Sequence, residues 1–514
     1  MKRNITAYLC LLLAGLTPAA FAQNWMGVHS IFIRPDSLTE AHTGMGNGTY
    51  TDNVDDLVAN AKAAGVRALY VEMRAAEVSS VNDSEVGHLY FQADPHPDIV
   101  AAAAQTFVSS FGESFGANDS FFVRYLIDEA HAAGLQVYAD FPTFLDTLLW
   151  EQGSVYRSQP ECCEDGFVSV VDPAVRNHQL ELIRQIVTRF PFDGINLDYI
   201  RYQIEEQPQG SAADSQFNNL YGVSISDPAQ NGRGSQYWDE YLAFRADALI
   251  SFIEEVRDMA NALRPMEIGG FMMPHSAKTA GVDGYPDNPW AGVDYDKMAA
   301  LGLNLMPMVY WGDDLNWYLP GTKDDFTDAV TANVLGHAQN HPGAQAVPTY
   351  SLVYPESEVI NALQIARDNG VYDLSFYFPG DWGSPIDTPM QDLTDALLAL
   401  NGDANLPTLN ITGPASPEVD PSQPLNITAT ASTNVAQAFY RFDGGTWQAM
   451  SINGANVSAN SVDISGLAAG RHTLTVLVRD ANGRPAQDVL LLNQILIFGD
   501  GFESGDTSVW SSGR

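Results

Sequence analysis

The sequence predicts an α/β fold, a (β/α)8 TIM barrel followed by a small all-β sandwich. From Trp25 to about Leu400, short apolar runs alternate with longer helix-forming stretches, which favours a parallel sheet covered by helices. Eight such runs are present, and eight is the strand number of this barrel. After Asn401 the composition changes to prolines and short alternating strands, and 514 residues suffice for a large domain plus a smaller one.

The predicted barrel strands are rich in Val, Ile, Phe and Tyr. They lie near Trp25–Ile33, Val66–Met73, Leu135–Phe141, Gly194–Ile200, Glu267–Met273, Leu303–Tyr310, Ala344–Leu352 and Asp373–Phe378. Among the helices between them, Asp52–Ala64 and Phe121–Ala133 end at a glycine, and Asp172–Phe190 begins with Asp-Pro. Two long strand-exit connections, Ala75–Ser120 and Tyr202–Gln236, are predicted to line a cleft, since the loops at this face build barrel active sites.

The two ends of the chain predict secretion and a second module. Residues 1–22 combine Lys2 and Arg3, an apolar run and Ala20-Phe21-Ala22, the pattern of a cleavable signal peptide. No later stretch reaches the roughly 20 apolar residues of a membrane helix, so we expect no membrane insertion and a periplasmic, extracellular or cell-surface location. The barrel is predicted over residues 23–402, the sandwich over 403–498 and a polar tail over 499–514.

The sandwich is expected to follow a proline-rich linker and to act as a spacer. The prolines that define the linker are Pro407, Pro414, Pro417, Pro421 and Pro424, and strands are predicted from Leu425. Turn signals follow at Asp443-Gly444-Gly445 and Asp480-Ala481-Asn482-Gly483. This pattern resembles bacterial immunoglobulin-like or fibronectin type III modules, and the strands contain few aromatic residues apart from Tyr440 and Trp447.

Composition and motifs exclude several functions. With 25 Lys+Arg against 63 Asp+Glu, the net charge is −38, so nucleic acid and anionic membranes would be repelled. After loss of Cys10 only Cys162 and Cys163 remain, which excludes a disulfide framework. The sequence contains no zinc-type Cys/His spacing, no phosphate-binding loop and no serine nucleophile elbow. We therefore expect no cofactor, no metal and no obligate protein partner.

The most informative segment is DGINLDYIRY, residues 193–202. It places Asp198 at the carboxyl end of the predicted fourth strand, where barrel enzymes carry functional residues. Holding an ionised carboxylate inside a barrel costs several kcal/mol unless it is paired or used. A purely structural alternative is an ion pair of Asp198 with Arg201 or Arg74.

This segment resembles the fourth-strand signature of the glycosyl-hydrolase-like 10 family, bacterial extracellular barrels. The segments GVHSIFIR, VRALYVEMR, AAGLQVYADF and LNLMPMVYW support the likeness, which covers residues 24–400 approximately. The resemblance implies a hydrolase of peptidoglycan or of another cell-wall or matrix polysaccharide. It places Asp198 at the family's strand-four acid, with Asn196, Tyr199, Arg201 and Tyr202 on the same edge.

The chain also departs from related patterns. Ala139-Asp140-Phe141 ends the third strand where an aromatic residue such as Trp is expected, and Met308 replaces an expected Gln. The glutamate of family 18 chitinases would fall at Ile200, so a mechanism that relies on it is excluded. These departures keep a second interpretation open, a barrel that binds glycans without cleaving them.

Glycoside hydrolysis commonly needs two carboxyl groups, one protonated and one ionised. We expect Asp198 to be the nucleophile or base, and Glu72 or Asp140 the acid, with Asp313 or Asp314 as further candidates. Glu72 could instead pair with Arg74 or Arg201, and Asp140 could cap a loop. A second carboxyl group across the groove from Asp198 would favour catalysis, whereas Asp198 alone would favour binding.

Aromatic and basic residues near the strand exits are expected to position the sugar. Flat aromatic rings stack on the C–H faces of sugars, although any single aromatic residue is more often part of a core. The predicted substrate-binding residues are Arg74, Asn196, Tyr199, Arg201, Tyr202, Tyr310, Trp311 and Trp382.

Overall fold

The computed structural model describes residues 25–38, 49–76, 87–100, 121–158, 166–202, 210–225, 235–274, 290–309, 322–341, 343–352, 355–377, 387–402, 406–468 and 470–494. Nine β segments form one parallel sheet, in the order β7-β6-β5-β4-β3-β2-β1-β9-β8. Their bounds are β1 Gly27–Ile33, β2 Val66–Glu72, β3 Gln136–Pro142, β4 Gly194–Asp198, β5 Glu267–Met272, β6 Asn304–Pro307, β7 Gln345–Ala346, β8 Thr349–Ser351 and β9 Asp373–Tyr377.

The sheet closes into a barrel because β7 and β8 are two halves of one strand position. β7 pairs with β6, and β8 pairs with β9. Between the halves, the Val347 N–H donates to Leu305 O over 2.9 Å, and the Ser375 N–H donates to Pro348 O over 3.1 Å. A parallel bridge joins Met308 to Thr349. The predicted eight-stranded barrel is thus confirmed, with its seventh strand interrupted at Pro348, which has no N–H to donate.

Helices follow most strands and cover the outside of the sheet. Their bounds are α1 Tyr50–Ala63, α2 Phe121–Ala132, α3 Thr147–Gln152, α4 Pro173–Arg189, α5 Gly210–Tyr221, α6 Trp238–Leu263, α7 Tyr295–Ala300, α8 Lys323–Asn340, α9 Glu356–Asp368 and α10 Asp387–Asn401. Local sequence explains two of the starts. Thr49 and Asp52 form a capping box at α1, and the Asp172 side chain accepts the Ala174 and Val175 N–H groups at α4, whose first residue is Pro173.

The barrel buries two apolar layers, one inside the sheet and one between sheet and helices. The inner layer contains Phe32, Ala68, Tyr70, Tyr138, Phe271, Met306 and Val347. The outer layer includes Ile195 and Leu197 of β4. Because side chains alternate along a strand, Asn196 and Asp198 face the interior of the barrel instead.

The C-terminal part is a sandwich of two sheets. One has the order β10-β12-β16-β15 and the other β11-β18-β17-β13-β14, with an apolar core between them. The bounds are β10 Leu409–Gly413, β11 Glu418–Val419, β12 Leu425–Ala431, β13 Val435–Phe442, β14 Gln448–Ala449, β15 Ser451–Asn453, β16 Asn456–Val462, β17 Gly470–Asp480 and β18 Pro485–Gln494. The predicted linker is wrong in part, because β10 and β11 lie between its prolines.

The sandwich packs directly against the amino-terminal ends of the barrel strands, so the spacer interpretation is wrong. The Arg441 guanidinium donates to Glu267 over 2.6 Å, to Gln136 over 2.8 Å and to the Tyr138 hydroxyl over 3.0 Å. Nearby, the Gln487 side chain donates to the carbonyl oxygens of Arg67 and Gly134 over 3.0 and 3.1 Å. Arg441 is 5% exposed, and with these contacts its side chain covers the amino-terminal end of the barrel interior.

Among the described residues, no helix combines the length and apolar character that crossing a membrane requires.

Candidate active site

The predicted acidic residues meet at the carboxyl-terminal edge of neighbouring strands. The sheet register sets Glu72 of β2 beside Asp140 of β3, and Asp140 beside Asn196 of β4. Asp198 lies two residues beyond Asn196 on β4, on the same face of the sheet and opposite Pro142. Glycine makes room below them, since a Cβ on Gly194 would come within 2.4 Å of the Tyr138 ring. The chain therefore gathers three carboxyl groups at the mouth of the barrel.

Exposure differs sharply among these groups. Asp140 and Asn196 have no exposed surface, and Glu72 is 3% exposed. Asp198 is partly exposed. Of the three carboxyl groups, Asp198 is thus the one that solvent reaches most readily.

Asp140 lies in an environment that favours its protonated form. One of its oxygens accepts the Asn196 side-chain N–H over 2.5 Å. Burial raises the pKa of Asp140 well above its ordinary value, and the negative charge of Asp198 raises it further, while the Asn196 hydrogen bond opposes the change. Asn196 was predicted to contact substrate, but here it binds Asp140 and is itself buried.

Glu72 has a different set of partners. The Arg34 guanidinium lies 3.5 Å from one carboxylate oxygen, and the Ala76 N–H donates to the other over 3.2 Å. Glu72 therefore pairs with Arg34, a cation other than Arg74 and Arg201, the two that the structural alternative named. Arg34 directly follows β1, and its position at a strand exit was a signal that sequence analysis could have used.

Asp198 ends β4 at a turn. The Tyr199 N–H donates to the Asp198 side chain over 2.7 Å, and the Thr143 N–H donates to the Asp198 carbonyl oxygen over 2.8 Å. The second contact ties β4 to the segment after β3. Tyr199 and Arg201, which follow Asp198 in the chain, are partly exposed.

Arg74, which was predicted to bind substrate, lies inside the protein in this structure. Arg74 has no exposed surface, donates to Pro142 O over 2.9 Å and forms an ion pair with Asp146 at 3.1 Å. Gln179 donates to Asp146 over 2.9 Å. Burial disfavours the charged form of Asp146, but Arg74 and His178 outweigh this and hold its pKa well below the ordinary value. This network fixes the segment after β3 to α4, and nothing local in the sequence signals it.

Tyr202 is likewise a core residue. It is 1% exposed, its N–H donates to Ala291 O over 2.8 Å, and the Arg245 guanidinium lies 4.4 Å from its ring centre. Tyr202, which was also predicted to contact substrate, is therefore packed in the core of this structure.

Five further candidates lie outside the described residues. They are Tyr310, Trp311, Asp313, Asp314 and Trp382. Within the part of the chain that the structure describes, no three His, Cys, Asp or Glu side chains are grouped so that they could hold a metal ion.

Comparison with solved structures shows that one glycoside hydrolase domain shares the fold. The glycoside hydrolase domain of PgaB (BpsB) from Bordetella bronchiseptica superposes with a TM-score of 0.54 and 13% identity, covering 73% of this chain and 98% of that domain. An endo-β-1,4-mannanase from Thermotoga petrophila has a TM-score of 0.40 and 10% identity over 92% of this chain and 98% of that enzyme. At 13% identity the first match shows a shared fold and nothing more. The TM-score of the second match is too low to support a conclusion.

The sequence comparisons are more limited. No protein-family model matches the chain. An S-layer-related protein of Niallia circulans is 23% identical over an alignment of 257 positions, and the match covers 41% of this chain but only 14% of that protein. The chain thus spans a small part of the curated relative it matches.

Proposed function

We propose that this chain is a secreted glycoside hydrolase in which Asp198 is the nucleophile or base and Asp140 is the acid. The observation that carries the proposal is the pairing of a partly exposed carboxyl group with a buried one whose pKa is raised. Hydrolysis needs one ionised and one protonated carboxyl group, and environments that separate two pKa values provide both.

The chemistry follows from the two environments. As the glycosidic bond breaks, the leaving oxygen takes the Asp140 proton, while Asp198 attacks the sugar carbon or removes a proton from the attacking water. Asp140 has no exposed surface in this structure, so the proposed proton transfer requires the side chains that cover Asp140 to move when the glycan binds beside Asp198. Glu72 is less suited to the acid role because it already binds Arg34 and the Ala76 N–H.

A cell-wall or matrix polysaccharide, such as the glycan strands of peptidoglycan, is the proposed substrate class. The residues of β4 that resemble the glycosyl-hydrolase-like 10 family support this class, as does the fold shared with a glycoside hydrolase domain. The partial match to an S-layer-related protein adds support for a location at the cell wall. Residues 1–22 supply the proposed signal peptide.

The deciding experiment measures product release, by mass spectrometry, from a panel of purified glycans that includes peptidoglycan strands stripped of their peptides. We expect Asp198→Asn and Asp140→Asn each to lower kcat/KM by about 100-fold or more, because each removes one of the two groups. Melting temperatures should stay within a few degrees of wild type, since both changes are nearly isosteric. The alkaline limb of the pH profile should report the raised pKa of Asp140.

Glu72→Gln is the matched control, a third acid changed at the same edge. It should retain most of the catalytic rate while weakening the contact to Arg34. Full activity of Asp140→Asn would move the acid role to another residue. Glycan binding without product from the wild type would instead support the non-catalytic barrel, which the second carboxyl group beside Asp198 argues against.

A further inference from the structure

Tyr199 adopts a backbone conformation that few residues other than glycine adopt. Its φ is 47°, and only Ala291, Asp443 and Ser461 share a positive φ among the non-glycine residues of the described chain. For a residue with a bulky side chain this left-handed conformation is disfavoured. Strained positions of this kind cluster at functional sites, and this one directly follows Asp198.

The left-handed turn reverses the alternation of side chains along β4. Ile195 and Leu197 point into the layer between sheet and helices, so an extended continuation would send Tyr199 there too. Instead Ile200 joins that layer, and Tyr199 packs with the strand-exit residues Ala76, Leu145 and Phe167. The turn therefore brings an aromatic ring to the mouth of the barrel, beside Asp198.

The ring belongs to a wall of flat groups. The Tyr199 ring meets the Phe167 ring edge to face at 6.0 Å. The Arg201 guanidinium spans both rings, at 5.1 Å from the centre of Tyr199 and 5.0 Å from that of Phe167. Phe167 is buried, whereas Tyr199 and Arg201 are partly exposed. Such a wall offers a surface that stacks on sugar C–H faces and guanidinium donors for sugar hydroxyls.

From these observations we propose that Tyr199 and Arg201 form a sugar-binding subsite adjacent to Asp198, and that the left-handed turn exists to build it. The inference rests on the proposed function and deepens it, since it names the residues that hold the sugar next to the reacting bond. The N–H groups of Arg201 would select a sugar ring that carries hydroxyl groups. The Tyr199 ring would select a sugar ring with an accessible apolar face.

Three substitutions at position 199 separate the ring from the backbone. Tyr199→Gly keeps the turn, because glycine adopts a positive φ without strain, but it removes the ring. Tyr199→Leu keeps an apolar side chain without a flat face, and Tyr199→Phe keeps the flat face. We expect KM to rise about tenfold in the glycine and leucine variants, which lack the flat face, and clearly less in the phenylalanine variant, which keeps it.

The assay uses peptide-free peptidoglycan strands and the other glycans of the panel, with melting temperature recorded for each variant. The melting temperature of Tyr199→Gly should not fall, because relief of backbone strain offsets lost packing. An unchanged KM in Tyr199→Leu would overturn the subsite, whatever happens to the stability of the glycine variant. If wild type binds a glycan without cleaving it, the catalytic proposal fails, and the same variants test the subsite through the Kd. Binding to none of the glycans would overturn both.

Discussion

At the scale of single residues, the carboxyl-terminal end of the barrel contains both partly exposed and fully buried charges. Asp198 reaches the surface, whereas Arg74 and Asp146 form an ion pair with no exposure on either side chain. A sequence shows both kinds of residue as charges at strand ends. It does not show that Arg74 turns toward Asp146, which lies 72 positions further along the chain.

Arg74→Met tests this supporting role. The change leaves the Asp146 carboxylate buried without its cation, and breaking such a pair costs about 3–5 kcal/mol of unfolding free energy. The double variant Arg74→Met/Asp146→Asn should recover part of that loss, since it removes the stranded charge. Both are measured by urea denaturation. Should Arg74→Met keep its stability and lose glycan affinity instead, Arg74 would be the substrate-binding residue that the sequence predicted.

At the scale of elements, local signals predicted the barrel strands well. β1 to β4 begin within two residues of their predicted starts, because buried apolar runs and the glycines that end α1 and α2 mark them. The same approach failed where long-range pairing overrides local composition. β10 forms within the predicted linker because it pairs with β12, which lies beyond the prolines in the sequence. Its own side chains give only a weak alternating pattern, so the sequence did not indicate a strand there.

The His472–Asp443 pair of the sandwich, next to the contact between β17 and the barrel, is expected to make stability depend on pH. The Thr473 hydroxyl donates to Asp193 over 2.6 Å, and the neighbouring His472 lies 2.8 Å from Asp443. Burial lowers the pKa of His472, but Asp443 outweighs it and the net shift is upward. A histidine with a raised pKa in the folded state stabilises the fold below its unfolded pKa of about 6.5, and this contribution is lost as the pH rises through the folded value.

We therefore expect the unfolding free energy of the wild type to fall above about pH 6.5, and His472→Gln to remove this part of the fall. Urea denaturation at a series of pH values between about 5.5 and 8.5 measures the slopes. At each pH the unfolding free energy of His472→Gln is subtracted from that of the wild type, so the contributions of titrating groups that both proteins share cancel. Parallel curves for the two proteins would show that the His472–Asp443 pair is not the source.

At the scale of the whole molecule, the sandwich completes the barrel. Arg441 supplies the cation that balances Glu267, the first residue of β5. Burial opposes ionisation of Glu267, but Arg441 and His29 outweigh it and lower its pKa to about 2. The Tyr138 hydroxyl donates to the same carboxylate over 2.5 Å. The charge on Glu267 is therefore tolerated inside the barrel because another domain neutralises it.

A chain that ends at residue 405 should not form a stable barrel, since Glu267 would lose its cation and the ends of β3 and β5 would be uncovered. Circular dichroism and thermal unfolding of the shortened chain measure this. Full-length Arg441→Met/Glu267→Gln is the control, because it removes both charges and keeps the domain, and it should unfold at a temperature nearer to wild type. A shortened chain with wild-type melting behaviour would show that the sandwich is only attached.

The docked sandwich also gives the molecule a front and a back. Asp198 opens at one end of the barrel, and Arg441 closes the other. A solid support joined to the sandwich on the side away from the barrel would therefore leave the end of the barrel that carries Asp198 directed toward the solution. Immobilising the protein in this orientation leaves long polymers free to approach, whereas attachment near the first strands of the barrel gives no such assurance.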